Sequence, residues 1–452
     1  MNRLRFLYRS YGLLYAAGQW CKRHIRPSGA FVITVILVSG LLGFNLFRTL
    51  IYQVLAIGSV LFILSVITSF FPFKIKFRIL RILPDYAGVD TPLSYEIELT
   101  NLSKKREKGL VLYEENHDPR PDFDTFKTRK EPEEHLRNFW DRTTRYYRWL
   151  WLVHRNKKTG FSPVDLPELP PGETIRVKIH SRPYHRGFIH FTGLTLARPD
   201  PLGLFNRIVF IKKPQKLLVL PKRYLLDPPD LFSSRQYHAG GISLASAVGN
   251  STEFMSLRYY RPGDPLKNIH WRTYAKTGEM VIKEFEDEYF VRHALILDTW
   301  LSNTDEPLFE AAVSIAASYV SVMQTGESIL DLMVVANRCY SFPSGRGLSG
   351  ADKMLEILAC VQPSPEKSIQ DLVPVIKTHI KQFSGSICLF LDWSPAHQRI
   401  KDIFTRADIP VHMIIVTRDE QTLSKKIMAQ NGSTEGIKVV EIDRIEKELA
   451  RL

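Results

Sequence analysis

Apolar and polar positions alternate in three different ways along the chain. Residues 28–47 form a run of twenty without a charge; Arg48 interrupts it, and 49–73 form a second uncharged run of twenty-five. About twenty helical residues, rising roughly 1.5 Å each, cross a ~30 Å hydrocarbon layer. The pattern therefore predicts a two-helix transmembrane hairpin over 28–73. From residue 75 to 223 the period shortens to two, as in SYEIELT at 94–100 and TIRVKIH at 174–180. Turn signals at Asn101-Leu-Ser, Leu169-Pro-Pro-Gly-Glu and Asp200-Pro-Leu-Gly separate these runs. Period-two runs bounded by Pro and Gly predict an antiparallel β-sandwich, Ig-like in kind. Only 132–145 reads as helical there.

Residues 224–250 have weak periodicity and read as a linker. Beyond them, apolar runs at 291–298, 329–335, 386–392, 411–417 and 437–442 alternate with helical patterns at 307–324, 350–361, 368–382, 395–407 and 420–430. Such alternation predicts a doubly wound α/β domain with a parallel sheet over 251–452.

At 452 residues the chain exceeds one ordinary domain, and 44% hydrophobic with 24% charged residues excludes global disorder. Lys and Arg number 61 against 47 Asp and Glu, a formal charge of +14. That excess suits an anionic membrane face, a nucleic acid or an acidic partner. Its distribution is informative. Arg3, Arg5, Arg9, Lys22, Arg23 and Arg26 precede the first apolar run with no acid among them, and Lys74, Lys76, Arg78 and Arg81 follow the second. The positive-inside bias then puts both ends, and the bulk of the chain, in the cytoplasm. The segment 1–27 could lie along an anionic leaflet or serve as a basic tail that only sets topology. Four widely spaced cysteines, Cys21, Cys339, Cys360 and Cys388, exclude a disulfide scaffold and a Cys-rich zinc module.

Residues 120–158 mix Arg and Lys with Phe139, Trp140, Tyr146, Tyr147, Trp149 and Trp151. Three readings stand: contact with a bilayer interface, stacking on single-stranded nucleic acid, or a strand and solvated loop whose aromatics face the sandwich core. Because membrane anchoring already accounts for much of the charge, nucleic acid ranks last as a partner.

In open α/β sheets ligands collect at the carboxyl ends of strands. Asp298 and Asp392 each fall just after an apolar run. With hydroxyls they could hold a hard divalent ion; alternatively they cap the helices that follow. Gly345-Arg-Gly-Leu-Ser-Gly350 fits GxGxxG but lacks the later acidic residue of a dinucleotide site, and it reads as a glycine loop. Ser364-Pro-Glu-Lys367 fits SxxK between prolines. No P-loop, GxSxG or HExxH string occurs.

The densest segment is 253–288, EFMSLRYYRPGDPLKNIHWRTYAKTGEMVIKEFEDE. Arg261-Pro-Gly-Asp264 reads as a turn, with Asp264 capping a short helix that opens on Pro265 and ends at Gly278. A strand over 280–285 leads into an acidic end that Arg258, Arg261 and Arg272 could neutralise. The segment reads either as an internally paired knot or as a docking surface presenting Arg258, Tyr260, Asp264, Trp271 and Glu286.

This segment resembles the domain of unknown function 58 (DUF 58) family. The residues carrying the resemblance are Glu253-Phe254, Leu257-Arg258, Tyr260, Pro262-Gly-Asp264, Ile269, Trp271, Ala275 and Phe285-Glu286, with Arg186-Gly187 and Asp200-Pro-Leu-Gly-Leu-Phe205 before them. The resemblance implies two membrane spans, a β-sandwich and a von Willebrand A-like α/β domain, often encoded beside MoxR-type AAA+ ATPases. Von Willebrand A folds bind Mg²⁺ through a DxSxS loop with a later Thr and Asp. Here Asp298 and Ser302 match the outer positions, Trp300 replaces the middle Ser, Asp392 matches the later Asp, and no Thr is assignable. The expectation is a protein-binding scaffold of the bacterial inner membrane that works with a MoxR-type ATPase and needs no cofactor. A Mg²⁺-dependent enzyme built on Asp298, Ser302 and Asp392 is the alternative, and a nucleic-acid binder through 120–158 the second.

Overall fold

The structure, a computed structural model, describes residues 2–42, 49–71, 76–132, 134–226, 254–285, 291–300, 306–323, 328–335, 339–343, 348–364, 369–431 and 436–449. The chain forms two compact units. One comprises Met1–Lys222 with Leu355–Val361, the other Arg223–Met354 with Gln362–Leu452. The expected linker 224–250 lies almost wholly outside the described residues.

The first unit opens with three helices, α1 Asn2–His24, α2 Pro27–Leu42 and α3 Thr49–Phe70. Residues 50–69 of α3 have a mean hydropathy of 2.4, and among the described residues this is the helix long and apolar enough to cross a membrane. The two-span hairpin is therefore met in part. α2 is as apolar but has 16 residues, about 24 Å at the helical rise and short of the ~30 Å layer. The two helices pack closely at Gly58, where an added Cβ would sit 3.1 Å from Ile36 Cγ1.

Next come β1 Phe77–Ile82, β2 Tyr86–Gly88, β3 Leu93–Asn101 and β4 Val111–Asn116. Helices α4 Phe123–Thr128, α5 Phe139–Thr144 and α6 Tyr146–Asn156 follow, and then β5 Thr159–Phe161, β6 Val164–Asp165, β7 Thr174–Pro183, β8 Gly187–Pro199 and β9 Asn206–Leu220. The strands make two sheets, in the orders β1-β3-β7-β5 and β2-β9-β8-β4-β6. All pairings are antiparallel except β2 with β9. The period-two pattern works as expected: along β3, Leu93, Tyr95, Ile97 and Leu99 are buried and enter the core that both sheets share. Asn101 ends β3 and binds two predicted turns together. Its amide donates to Lys105 O at 2.9 Å, Leu169 O at 2.9 Å and Pro170 O at 3.2 Å.

Among its described residues, the aromatic stretch 120–158 is mostly helical. Three short helices replace the single expected one, and Phe123, Phe126, Tyr146 and Trp149 pack on α1 instead of the sheets. Phe126, Trp149 and Leu152 are buried with Leu4, Tyr8 and Tyr11 of α1. The Tyr8 hydroxyl donates to Pro121 O at 3.0 Å and that of Tyr11 to Thr144 O at 2.9 Å. The Trp149 ring lies beside Gly12 of α1, 4.0 Å from the position a Cβ would take. Nor is the N-terminal segment a loose tail: α1 is a 23-residue helix.

The loop between β8 and β9 joins these helices to the sheets. Asp200 Oδ1 accepts the N–H groups of Leu204 at 2.8 Å and Phe205 at 3.0 Å, closing a tight turn in which Gly203 has φ +69°. The turn grips both apolar helices. Leu204 O accepts Arg26 N–H at 3.1 Å, and Gly203 O accepts the Ser28 hydroxyl at 2.5 Å. From α3, Ser65 donates to Asp200 Oδ2, and the Phe62 ring meets Phe205 edge-on at 5.5 Å.

The second unit contains β10 Phe254–Tyr259, α7 Trp271–Thr277, β11 Val281–Phe285, β12 Val291–Leu297, α8 Glu306–Met323, β13 Ser328–Val335, β14 Cys339–Pro343 and the first half of α9 Leu348–Cys360. It continues through α10 Val373–His379, β15 Gly385–Phe390, α11 Pro395–Arg406, β16 Val411–Thr417, α12 Glu420–Asn431, β17 Ile437–Glu441 and α13 Ile445–Leu449. The main sheet runs β14-β13-β12-β15-β16-β17, five strands parallel and the edge strand β14 antiparallel. The predicted parallel α/β unit is thus observed. Side chains alternate across it. Ala294 and Ile296 of β12 join Ile376, Ile400, Phe404 and Ile427 from α10, α11 and α12, while the buried Leu295 and Leu297 face the other side.

Candidate functional site

β12 has β13 on one side and β15 on the other, both parallel to it, so the strand order reverses at this point. A crevice at the carboxyl ends of such strands is the usual ligand position. Asp298 follows β12 and Asp392 follows β15, as expected. The structure does not bring the two carboxylates together in one role.

Asp298 is 1% exposed, and both its oxygens are engaged. Oδ1 accepts Trp300 N–H at 2.9 Å, and Oδ2 lies 3.1 Å from His397 Nε2. His397 is equally buried. Its Nδ1 lies 2.8 Å from Ser394 Oγ, and its ring packs 4.5 Å from Phe390. One neutral tautomer satisfies the whole chain: Nε2–H donates to Asp298 and the Ser394 hydroxyl donates to Nδ1. The fold produces this naturally. Ser394 precedes Pro395 at the start of α11, which puts His397 one turn later and on the same face. Asp392, by contrast, is part-exposed, accepts Trp393 N–H at 2.7 Å and pairs with Lys426 Nζ at 2.5 Å.

This arrangement bears on the Mg²⁺ expectation. A divalent ion needs free oxygen lone pairs from several residues. Asp298 has given its own to a histidine and a backbone N–H. Among the described residues no group of three or more His, Cys, Asp or Glu is placed to hold a metal. The described donors therefore do not fit the ion; Ser302 lies outside the described residues. What sequence reasoning missed is His397. The signal was present as a Ser-x-x-His at a helix start, directly after a strand-ending Asp.

Within the second unit, residues 254–285 form a small two-stranded sheet with a short helix between its strands. β10 and β11 pair antiparallel, with Arg258 opposite Ile282. Arg258 grips Asp264 with both guanidinium ends, at 2.7 and 2.8 Å, and Asp264 also accepts Arg261 N–H at 2.8 Å. The Arg258 pair, helped by that N–H, pulls the Asp264 carboxyl down to about 2. The expected cap is thus corrected. Asp264 is turned back onto Arg258, which leaves residues 266–268 as a single 3₁₀ turn, and the α-helix starts only at Trp271. Gly278 closes it with φ +73°, as predicted. Beneath, Ile269 and Ile282 are buried and bridge each other.

Arg258 and Asp264 are thus spent on the shape of the turn. The segment's large apolar residues point outward: Tyr259 is 68% exposed, Leu266 64% and Trp271 60%, with Tyr274 and Met280 also exposed. Of the predicted docking residues, Trp271 is on that surface, Arg258 and Asp264 hold the turn, and Tyr260 is part-buried with its N–H on Met280 O at 2.9 Å. Glu286 lies outside the described residues.

The family match found by comparison with known proteins includes most of this segment and extends well beyond it. Residues 256–384 match the model of the family described as protein of unknown function DUF58. The uncharacterized protein YeaD of Bacillus subtilis (strain 168) is 28% identical over 179 residues, 38% of this chain and 42% of that protein, so the match spans less than half of that relative. Among solved structures, proximal thread matrix protein 1 from the mussel byssus aligns at 12% identity and a TM-score of 0.28 over 35% of this chain and 44% of its own. An exo β-N-acetylglucosaminidase from Vibrio harveyi aligns at 9% identity and a TM-score of 0.14, over 82% of this chain and 74% of its own. Likenesses of that size carry no argument. Residues 256–384 are thus similar to the DUF58 family, and the chain is distantly similar to the Bacillus protein.

Proposed function

We propose that this protein is a membrane-held docking module. In this reading α3, with α2 beside it, anchors the chain in a bacterial inner membrane. Both termini and both folded units lie on the cytoplasmic side, and the β10–α7–β11 unit recognises a protein partner. The observation that carries the reading is the outward set Tyr259, Leu266, Trp271, Tyr274 and Met280. Monomeric surfaces scatter large apolar side chains singly, whereas a cluster containing Trp and Tyr is the composition of interface hot spots. Arg261, Lys267, Arg272 and Lys276 of the same segment are exposed as well, so the complementary surface is apolar with acidic groups. A MoxR-type AAA+ ATPase is the partner that the family resemblance suggests.

Co-purification of the full chain in detergent with that ATPase tests the reading. Trp271→Ala and Tyr259→Ala should each lose capture at least tenfold with no change in thermal midpoint, since neither side chain is buried. Failure of the wild-type chain to retain the ATPase would remove this partner. A carboxyl-terminal reporter active outside the cytosol would remove the topology.

A further inference from the structure

The inner face of α1 carries Leu4, Tyr8 and Tyr11 against the insert α4–α6. That accounts for one side of the helix. Phe6, Leu13, Ala17 and Trp20 fall at i, i+7, i+11 and i+14, a single stripe on the opposite side. Phe6 and Leu13 are each 71% exposed. A helix amphipathic enough to pack on its neighbour would ordinarily be polar on its back. Here the back is apolar and edged by Arg3, Arg5 and Arg9, with no acidic residue anywhere in α1. The insert repeats the feature: Phe139 and Trp140 open α5, about three-quarters exposed. Tyr11 fixes the far end of α5 to α1 through Thr144 O, so both surfaces belong to one small assembly.

Continuity identifies what covers it. α1 ends at His24 and α2 begins at Pro27, so the assembly feeds almost directly into the apolar helices. The loop that holds the start of α2 also holds α3. A helix with exposed aromatics and leucines, a basic margin and no acid, attached to the end of a membrane span, has the composition of an interfacial helix on anionic lipid. Beside the stripe, Leu13 also lines a groove of about 610 Å³ between α1 and the insert, with Arg9, Trp149 and the paired Arg120 and Asp118 in its wall. We propose that α1 and the α4–α6 insert lie on an anionic phospholipid surface, with Phe6, Leu13, Trp20, Phe139 and Trp140 entering its interface. The proposal rests on the membrane reading of α3.

The full chain in lipid nanodiscs tests it, with the photo-crosslinker benzoylphenylalanine placed singly at Leu13, Phe139, Ile57 of α3 or Met428 of α12. All four are exposed positions. Mass spectrometry reads lipid adducts. With phosphatidylglycerol discs, adducts should form at 13, 139 and 57 and not at 428. Replacing phosphatidylglycerol by phosphatidylcholine should lower the yield at 13 and 139 at least threefold and leave 57 unchanged. Lipid adducts at 57 with none at 13 and 139, or protein adducts there instead, would overturn the interfacial seat while leaving the anchor intact. No adduct at 57 would overturn the anchor itself, and the proposal with it. Equal yields in the two lipids would overturn the anionic selectivity.

Discussion

Ser65, near the end of the apolar helix α3, donates its hydroxyl to the carboxylate of Asp200, 135 residues later in the chain. Both residues are buried, and the same carboxylate accepts two backbone N–H groups of its own turn. The Asp-Pro-Leu-Gly-Leu-Phe string is therefore a joint between the apolar helices and the sheets. Asp200→Ala should leave those donors without an acceptor. Each buried unsatisfied group costs about 1–3 kcal/mol, so a combined loss on the order of 3 kcal/mol follows for the first unit. Gly29→Ala attacks the same joint from the other side, because its Cβ would fall 2.3 Å from Leu204 O. Backbone must move there, at a cost of about 1–3 kcal/mol. Thermal unfolding in detergent checks both; a wild-type midpoint for Asp200→Ala would show that the joint is not held this way.

Within the sheets, Arg81 and Glu114 form an ion pair with almost no solvent exposure, closed at 2.5 Å. The Tyr95 hydroxyl donates to the same carboxylate at 2.8 Å, and the guanidinium lies 4.6 Å over the Phe191 ring. Burial raises the Glu114 carboxyl above its ordinary value even though Arg81 opposes the shift. Arg81→Met removes that opposition and strands a buried charge, which costs about 3–5 kcal/mol. A group whose folded pKa is raised contributes stability at low pH and loses it as pH climbs through the folded value. The variant should thus be more stable at pH 5 than at pH 7.5 in denaturant titrations that follow the first unit. Adding Glu114→Leu should restore much of the loss. A double variant no better than the single would contradict the pairing.

Much of this fold was legible because its signals are local. The alternation in β3, the Gly278 stop and all five parallel strands followed from period and turn chemistry. The insert was misread because its helices are short. Helices α4 and α5 have six residues each, too few for a periodic signature, and the aromatics of α4 and α6 find partners on α1 more than a hundred positions earlier. The site was legible in place and not in chemistry. Asp298 and Asp392 sit at the predicted strand ends, but His397 and Lys426 reach them from helices α11 and α12. The Ser-x-x-His string marks His397 locally, but nothing in the pattern around Asp298 pairs it with a residue 99 positions away.

The second unit should weaken in mild acid. His293 in β12 is fully buried, and burial pushes its imidazole down to about 4; His412 in β16 is pushed to a similar value by burial, with Lys438 adding repulsion. A histidine whose folded pKa is depressed binds its proton first in the unfolded chain. Stability is then complete above the unfolded value near 6.5 and is lost as pH falls from there toward 4. For His293 the upper figure is on the order of 3 kcal/mol, from roughly 1.4 kcal/mol per unit. Hydrogen exchange of the β12 and β16 amides at pH 7, 5.5 and 4.5 should show protection falling across this window. In His293→Leu the fall should be shallower. The same slope in both proteins would assign the acid sensitivity elsewhere.

His397 is the remaining case, because it decides whether Asp298 is a brace or a ligand. As a brace, Asp298 ties the end of β12 to the first turn of α11, and losing the imidazole strands a buried carboxylate. His397→Phe should then cost about 2–4 kcal/mol, and Asp298→Ala a similar amount. Combined, they should cost clearly less than their sum, since either one already breaks the contact. A denaturant-based double-mutant cycle on the full chain measures that coupling. Magnesium supplies the opposite test. An ion could bind Asp298 only by displacing His397, so millimolar Mg²⁺ should leave the wild-type thermal midpoint unmoved. If Mg²⁺ raised it by several degrees, and Asp298→Ala abolished the rise, the His397 contact would be a resting arrangement that the ion replaces.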